Sequence, residues 1–285
     1  MLRISLLSSL ILTVGFTSIP CLAYSLKDHE QITWSALRGI QPCLHSSVDE
    51  SQGLQLVRAN LWEDKNLLNK WFRYSHFYHP DQDSDLGILR ENSRARVSDL
   101  EKKIERALLD PAPRKQLLQL LGYLIHHIQD MTVPLHVMPV NHFWTDGFEK
   151  LEVSIAPTVS RLSCEALLEE ALEISAPSLH HRTAAATLDQ TLNGALTASY
   201  PWGFRVPLTW FWEEGTRDQF GSYGVLGNSF GLSWLKVPGQ NFRIEQQEYI
   251  SFKASRLAAA EHATRLILLR YWLLGAFDAA RQEVL

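Results

Sequence analysis

The chain has 285 residues, with 27 Lys and Arg against 31 Asp and Glu, a formal net charge of −4, and three cysteines. That balance excludes a strongly basic nucleic-acid binder of the usual kind, and the length suffices for one large domain or two small ones. The first residues set the compartment. Arg3 supplies a positive start, Ile4 to Ile19 form an apolar run broken only by Ser, Thr and Gly, and Pro20-Cys21-Leu22-Ala23 places small residues where a signal peptidase reads. Residues 1–23 are therefore expected to be a secretory signal cleaved before Tyr24, leaving 24–285 as the mature chain in a periplasm or outside the cell. The apolar run is shorter than the roughly 20 residues of a spanning helix. Cys43 and Cys164 then remain, and an oxidising compartment lets them pair or persist as two buried thiols.

In chain order the mature sequence reads as helices with short breaks. Asp28 can cap a helix over His29 to Leu37, and Ser93 another that runs to Leu109 and stops at Asp110-Pro111-Ala112-Pro113. Lys115 to Met131 carries Leu117, Leu121, Leu124 and Ile128 at helical spacing, with Leu118, Leu120 and Ile125 on its other faces, as expected of a central buried helix. Cys164 to Ile174 and Ala184 to Leu196 follow as helices. Glu245 to Ala280 is a long one whose stripe is Ile250, Leu257, Ala260, Leu266 and Leu269. Its apolar end is interrupted by Arg256, Glu261, Arg265 and Arg270, which makes it a core helix rather than a membrane span. Between Tyr200 and Phe242 the texture turns to Gly, Pro and aromatics, expected to form an irregular loop or small β-ribbon over the surface. The predicted fold is a single compact, mainly α, multi-helix domain.

The chemistry concentrates in the first half of the mature chain. His126 and Asp130 are four residues apart within Leu124-Ile125-His126-His127-Ile128-Gln129-Asp130, so on a helix an imidazole and a carboxylate share one face and can reach one metal ion. Pro134 stops that helix, His136 follows on the exit loop, and His142, Asp146 and Glu149 come next. A lone His on an apolar helix is usually a hydrogen-bonded core residue. So many metal-type side chains in so short a stretch reverse that presumption, and the absence of Cys among them disfavours a structural zinc site.

The run His126-His127-Ile128-Gln129-Asp130-Met131-Thr132-Val133-Pro134-Leu135-His136 resembles the His-x-x-x-Asp-x-x-x-Pro-x-His signature of the bacterial zinc-dependent phospholipases C, whose superfamily also holds fungal single-strand nucleases. Ser75-His76-Phe77-Tyr78-His79-Pro80-Asp81 is similar to the family's His-Phe-Tyr-Asp-Pro-Asp, and Asp64 stands in the place of its active-site aspartate. His29 follows closely on Tyr24, where the family uses the amine and carbonyl of the mature N-terminal residue, usually Trp, together with a nearby His. The resemblance covers Tyr24 to Glu152 and implies about three zinc ions. One would take His76, His126, Asp130 and Asp64. A second would take the backbone of Tyr24, His29 and the shared Asp130. The third would take His136, His142 and a carboxylate, with Glu149 favoured over Asp146 because Phe148-Glu149 matches the family's Phe/Tyr-Glu pair. Asp64 would also be the catalytic residue, orienting or deprotonating the attacking water.

Several other residues are not assigned chemistry. His127 points about 100° away from His126 on a helix and is read as packing or an outer partner. His79 is expected to be exposed, and His180, His181 and His262 to have core or surface roles. Trp202, Phe204, Trp210, Phe211 and Trp212 are assigned to packing before a membrane-facing lip. Arg73 stands where a choline-binding relative carries an aromatic, although Trp71 and Phe72 adjoin it. The resemblance thus implies a secreted, monomeric phospholipase C with a phospholipid substrate, transient membrane contact and no stable nucleic-acid partner. A zinc nuclease or nucleotidase on the same scaffold is the alternative, and a non-enzymatic zinc-dependent membrane binder a third reading.

Overall fold

The computed structural model describes residues 24–45, 47–65, 76–82, 92–109, 116–140, 146–154, 163–216 and 219–277. The expected signal segment, His142 and the stretch Trp71 to Arg73 lie outside the described residues. The chain is mainly α, with a small sheet. Helix α1 spans Leu26–Ile40. Its cap is Ser25, whose hydroxyl accepts the Asp28 N–H at 3.1 Å while Asp28 Oδ2 accepts the Ser25 N–H at 3.3 Å. Asp28 is therefore the returning half of a capping box inside the first turn and not the cap expected from the sequence. Helix α2 (Glu50–Lys65) has no counterpart among the predicted elements, because the residues it buries include Gln52, Gly53, Asn60, Glu63 and Asp64 rather than an apolar stripe.

Helix α3 (Ser93–Leu109) is capped by Asn92, whose Oδ1 accepts the Ala95 N–H at 3.0 Å; Ser93 turns inward to two histidines instead. Helix α4 (Leu117–Asp130) is the expected buried helix, followed by the single turns α5 (Pro134–Val137) and α6 (Gly147–Lys150). Helix α7 (Cys164–Glu173) matches its expected bounds, whereas α8 spans Ala176–Asn193 and starts well before Ala184. Ser175 supplies the cap and Pro177 sits in the first turn, so the helix begins where its N-terminal signals lie. Helix α9 runs from Gln246 to Leu273, and no described helix is long and apolar enough to cross a membrane.

The segment expected as an irregular loop or small β-ribbon holds a small sheet. Strands β1 (Ala195–Tyr200), β2 (Arg205–Pro207), β5 (Trp234–Val237) and β6 (Gln240–Ile244) form one antiparallel sheet in the order β2-β1-β6-β5, and β3 (Trp212–Glu213) pairs with β4 (Ser222–Tyr223). Leu196, Ala198, Val206, Leu235, Phe242 and Ile244 alternate with exposed residues and are buried, so the sheet covers core rather than lying over it. Its glycines belong to turns: Gly239, at φ +81°, closes the β5–β6 hairpin.

The buried apolar residues form two clusters. One gathers the sheet, Phe148, Met131, Val133 and the first half of α9; the other gathers α3, most of α4, α7 and the second half of α9. Along α1 the change falls between Ile32 and Ala36, and along α4 between Ile128 and Met131, so both helices carry their polar residues through the seam. Gly122 sets how closely α2 and α4 cross there. A Cβ on it would lie 2.5 Å from the Ala59 Cβ and 2.7 Å from the Leu56 carbonyl oxygen. With only a hydrogen at that point, α2 reaches α4 and lays Asn60 and Asp64 beside His126. Cys43 and Cys164 form a disulfide across a separation of 121 residues, tying the end of α1 to the start of α7. Closing so long a loop contributes on the order of 2–5 kcal/mol.

Candidate metal centre

Five of the nominated side chains converge at the seam. His29 comes from α1, Asp64 from the end of α2, His126 and Asp130 from α4, and His76 from the segment before α3; all are buried. Asp130 is the hub. Its Oδ1 lies 3.5 Å from His29 Nε2, and its Oδ2 lies 2.8 Å from His76 Nδ1, 3.3 Å from His126 Nε2 and 3.6 Å from His136 Nδ1. Asp64 faces the same space, with Oδ2 3.8 Å from His29 Nε2 and Oδ1 3.9 Å from His126 Nε2. Three overlapping sets result whose donor atoms lie within 4.8 Å of one another: His29, His126 and Asp130; Asp64, His76 and His126; His76, His127 and Asp130.

The donor atoms are oriented by a closed polar network. The Thr33 and Thr264 hydroxyls donate to the carbonyls of His29 and Ala260, at 2.8 and 2.7 Å. Their oxygens are thus left to accept. Thr33 takes the Asn60 amide at 2.9 Å and the Gln129 amide at 3.1 Å, and Thr264 takes the Gln129 amide at 3.1 Å. With both NH₂ groups so engaged, the amide oxygens point at imidazoles. Gln129 Oε1 accepts from His29 Nδ1 at 2.6 Å, and Asn60 Oδ1 from His126 Nδ1 at 3.1 Å. Each ring therefore carries its hydrogen on Nδ1 and turns a lone pair on Nε2 toward the carboxylates, the wiring that metal-binding histidines use. His136 donates from Nδ1 to the His76 carbonyl at 2.8 Å, which leaves its lone pair on Nε2.

These residues fit a cation. His29 Nε2 and Asp130 Oδ1 are buried and have no hydrogen-bond partner among the described residues. Burial disfavours the charged form of His29, but Asp130 and Asp64 outweigh it and raise its pKa; burial likewise opposes charge on Asp130, but His126 and His136 hold its carboxyl well below the ordinary range. An ionised carboxylate within reach of four imidazoles is a nitrogen–oxygen donor set that could hold a divalent cation such as zinc. Asn60→Ala should free the His126 ring and weaken metal binding by about 10–100-fold, measured by chelator competition, while Asn60→Asp, which keeps an acceptor, should lose less.

The remaining nominated residues lie around this cluster or outside the described residues. The Tyr24 side chain is buried, its hydroxyl 2.8 Å from Thr132 Oγ1 and its ring edge-on to His29 at 5.5 Å between centroids. Glu149 and Asp146 form a capping box on α6. Asp146 Oδ1 accepts the Phe148 N–H at 2.6 Å, Asp146 Oδ2 the Trp212 indole N–H at 3.4 Å, and Glu149 Oε2 the Asp146 N–H at 2.6 Å. Neither belongs to the three donor sets found among the described residues. His79, expected to be exposed, is buried: Nδ1 accepts the Asp81 and Gln82 N–H groups and Nε2 donates to Glu214 Oε1 at 2.6 Å. His180 and His181, expected to have core or surface roles, are bonded to Ser93 and Tyr78 at 2.8 Å each. Sequence reasoning missed Asn60, Gln129 and Thr33, polar residues whose neighbours along the chain carry no sign of their distant partners.

Among solved structures the chain resembles Clostridium perfringens alpha-toxin from an avian strain, with a TM-score of 0.52 and 13% identity over 88% of this chain and 64% of that one. The likeness is one of fold. The chain spans 64% of the length of that toxin structure. No protein-family model and no curated protein matches the sequence.

Proposed function

We propose that the mature chain is an exported zinc-dependent phosphodiesterase that hydrolyses glycerophospholipids, a phospholipase C. The observation that carries this is the buried convergence of His29, Asp64, His76, His126 and Asp130 on one space, in the order and spacing of the phospholipase C motifs. The helical fold shared with alpha-toxin supports it. One zinc is assigned to Asp64, His76, His126 and Asp130, a second to the Tyr24 amine and carbonyl with His29 and Asp130, and a third to His136, His142 and Glu149. Zinc held there would supply Lewis-acid stabilisation of phosphoryl charge and a nucleophilic water near neutral pH.

The chain's own groups do the rest. Asp64 accepts a proton from the attacking water as the water oxygen bonds to phosphorus; the phosphorus–oxygen bond to diacylglycerol breaks, the leaving oxygen takes up a proton, and the phosphate stays with the headgroup. Asp130 remains ionised throughout, and Asn60 and Gln129 keep the His126 and His29 lone pairs inward. Lipid contact is assigned to the outer face of the sheet, where Tyr200, Trp202 and Trp234 are exposed beside the exposed cations Arg205, Lys236 and Arg243. Amphipathic aromatics with Lys and Arg suit a membrane interface. Purified protein should release diacylglycerol from phosphatidylcholine vesicles and cut single-stranded DNA poorly. A faster turnover of the DNA would transfer the chain to the nuclease reading.

A further inference from the structure

One buried imidazole beside the cluster has no part in that assignment. His127 is fully buried on α4, with its ring centroid 5.4 Å from that of His76. Its Nδ1 lies 3.3 Å from Ser93 Oγ, which lies 2.8 Å from His180 Nε2, so one hydroxyl bridges the two rings and holds His127 by that nitrogen. The other nitrogen, Nε2, has no hydrogen-bond partner among the described residues, and neither does His76 Nε2. Leaving a buried polar atom unmatched costs about 1–3 kcal/mol, so two on neighbouring rings call for an occupant. Donor atoms of His76, His127 and Asp130 lie within 4.8 Å of one another, a set that includes neither His29 nor Asp64. The wiring repeats that of His29 and His126: Nδ1 fixed by a polar side chain, Nε2 turned away from it.

We propose that His127 is itself a metal ligand, forming with His76 and Asp130 a position for a first-row divalent cation that accepts imidazole and carboxylate donors, as zinc does. This rests on the metal centre proposed above and adds a ligand that the motif resemblance does not supply. Ser93 and His180 are its positioning residues, presented by α3 and α8. Helical spacing alone turned His127 away from the His126–Asp130 face. The approach of His76 from outside α4 gives that second face a partner.

The test measures tightly bound zinc in the processed chain after zinc-replete expression and a chelator wash, together with the rate of zinc release to chelator. His127→Phe, which fills the space without a donor, and His127→Ala should each lose about one zinc or release zinc at least 10-fold faster. His180→Phe should change release less than either, because it leaves His127 Nε2 intact. In the unmodified chain loaded with cadmium, the nitrogen spectrum of the histidine rings should show metal coupling at His127 Nε2. This reading does not depend on any variant folding. Wild-type zinc content and release in folded His127 variants, or an Nε2 signal without coupling, would overturn the proposal and leave the rest of the centre standing. A wild-type chain that binds no zinc would overturn both.

Discussion

Replacing Asp130 by Asn should reduce turnover of a glycerophospholipid by about three orders of magnitude or more and remove more than one zinc. The carboxylate is the element common to the cluster, meeting His29 through Oδ1 and His76, His126 and His136 through Oδ2, at 2.8 to 3.6 Å. Asparagine keeps the shape and loses the charge, so α4 should fold while the site loses the anion that two metal positions share. Metal-supplied charge stabilisation is worth several kcal/mol, and every 1.36 kcal/mol is tenfold in rate, so the loss compounds. Circular dichroism should report unchanged helix content, elemental analysis the missing zinc. A variant with near-wild-type turnover would show that Asp130 is a structural hub only.

Protein carrying an extra residue or tag on Tyr24 should hold one zinc fewer and turn over about 100-fold more slowly or worse, and removing the extension should restore both. The Tyr24 side chain is already seated, bonded to Thr132 and packed on His29 and Phe148, so the backbone of this residue is anchored beside a candidate ligand. A free α-amino group has an ordinary pKa of roughly 7.7–8.0, and a metal displaces its proton at modest cost near neutrality. Only a terminal residue offers amine nitrogen and carbonyl oxygen together. Export would therefore complete the site. Full activity with the extension shown intact by mass spectrometry would remove Tyr24 from the ligand set and leave the other positions in place.

The sequence made the site legible where its signals were local. His126 and Asp130 announce themselves by spacing on one helix, and Tyr24 with His29 by their place after the expected signal segment. Helix α4 and the charged interior of α9 followed from periodicity: Glu261 and Arg265 pair at 2.6 Å and Glu261 accepts from Ser35 at 2.7 Å, as core charges must. What stayed hidden depends on distant partners. Helix α2 buries polar residues among its few apolar ones, and its close packing depends on Gly122, on another helix. His79 looked exposed because its partner Glu214 is 135 residues away. Asn60 reaches Gln129 across 69 residues and His126 across 66, and no window along the chain contains both ends. A small β-ribbon was legible in the Gly, Pro and aromatic texture, but its strand order and its start at Ala195 were not, because β1 pairs with β6 more than 40 residues away.

Whether the buried histidines and aspartates form a multinuclear zinc site is decided by the zinc content of the purified mature chain. Elemental analysis after zinc-replete expression should find about two to three zinc ions per chain, as the proposed assignment implies. Removing them with a chelator should abolish phospholipid hydrolysis and adding zinc back should restore it. Less than about one zinc per chain, with hydrolysis unaffected by chelation, would contradict the account.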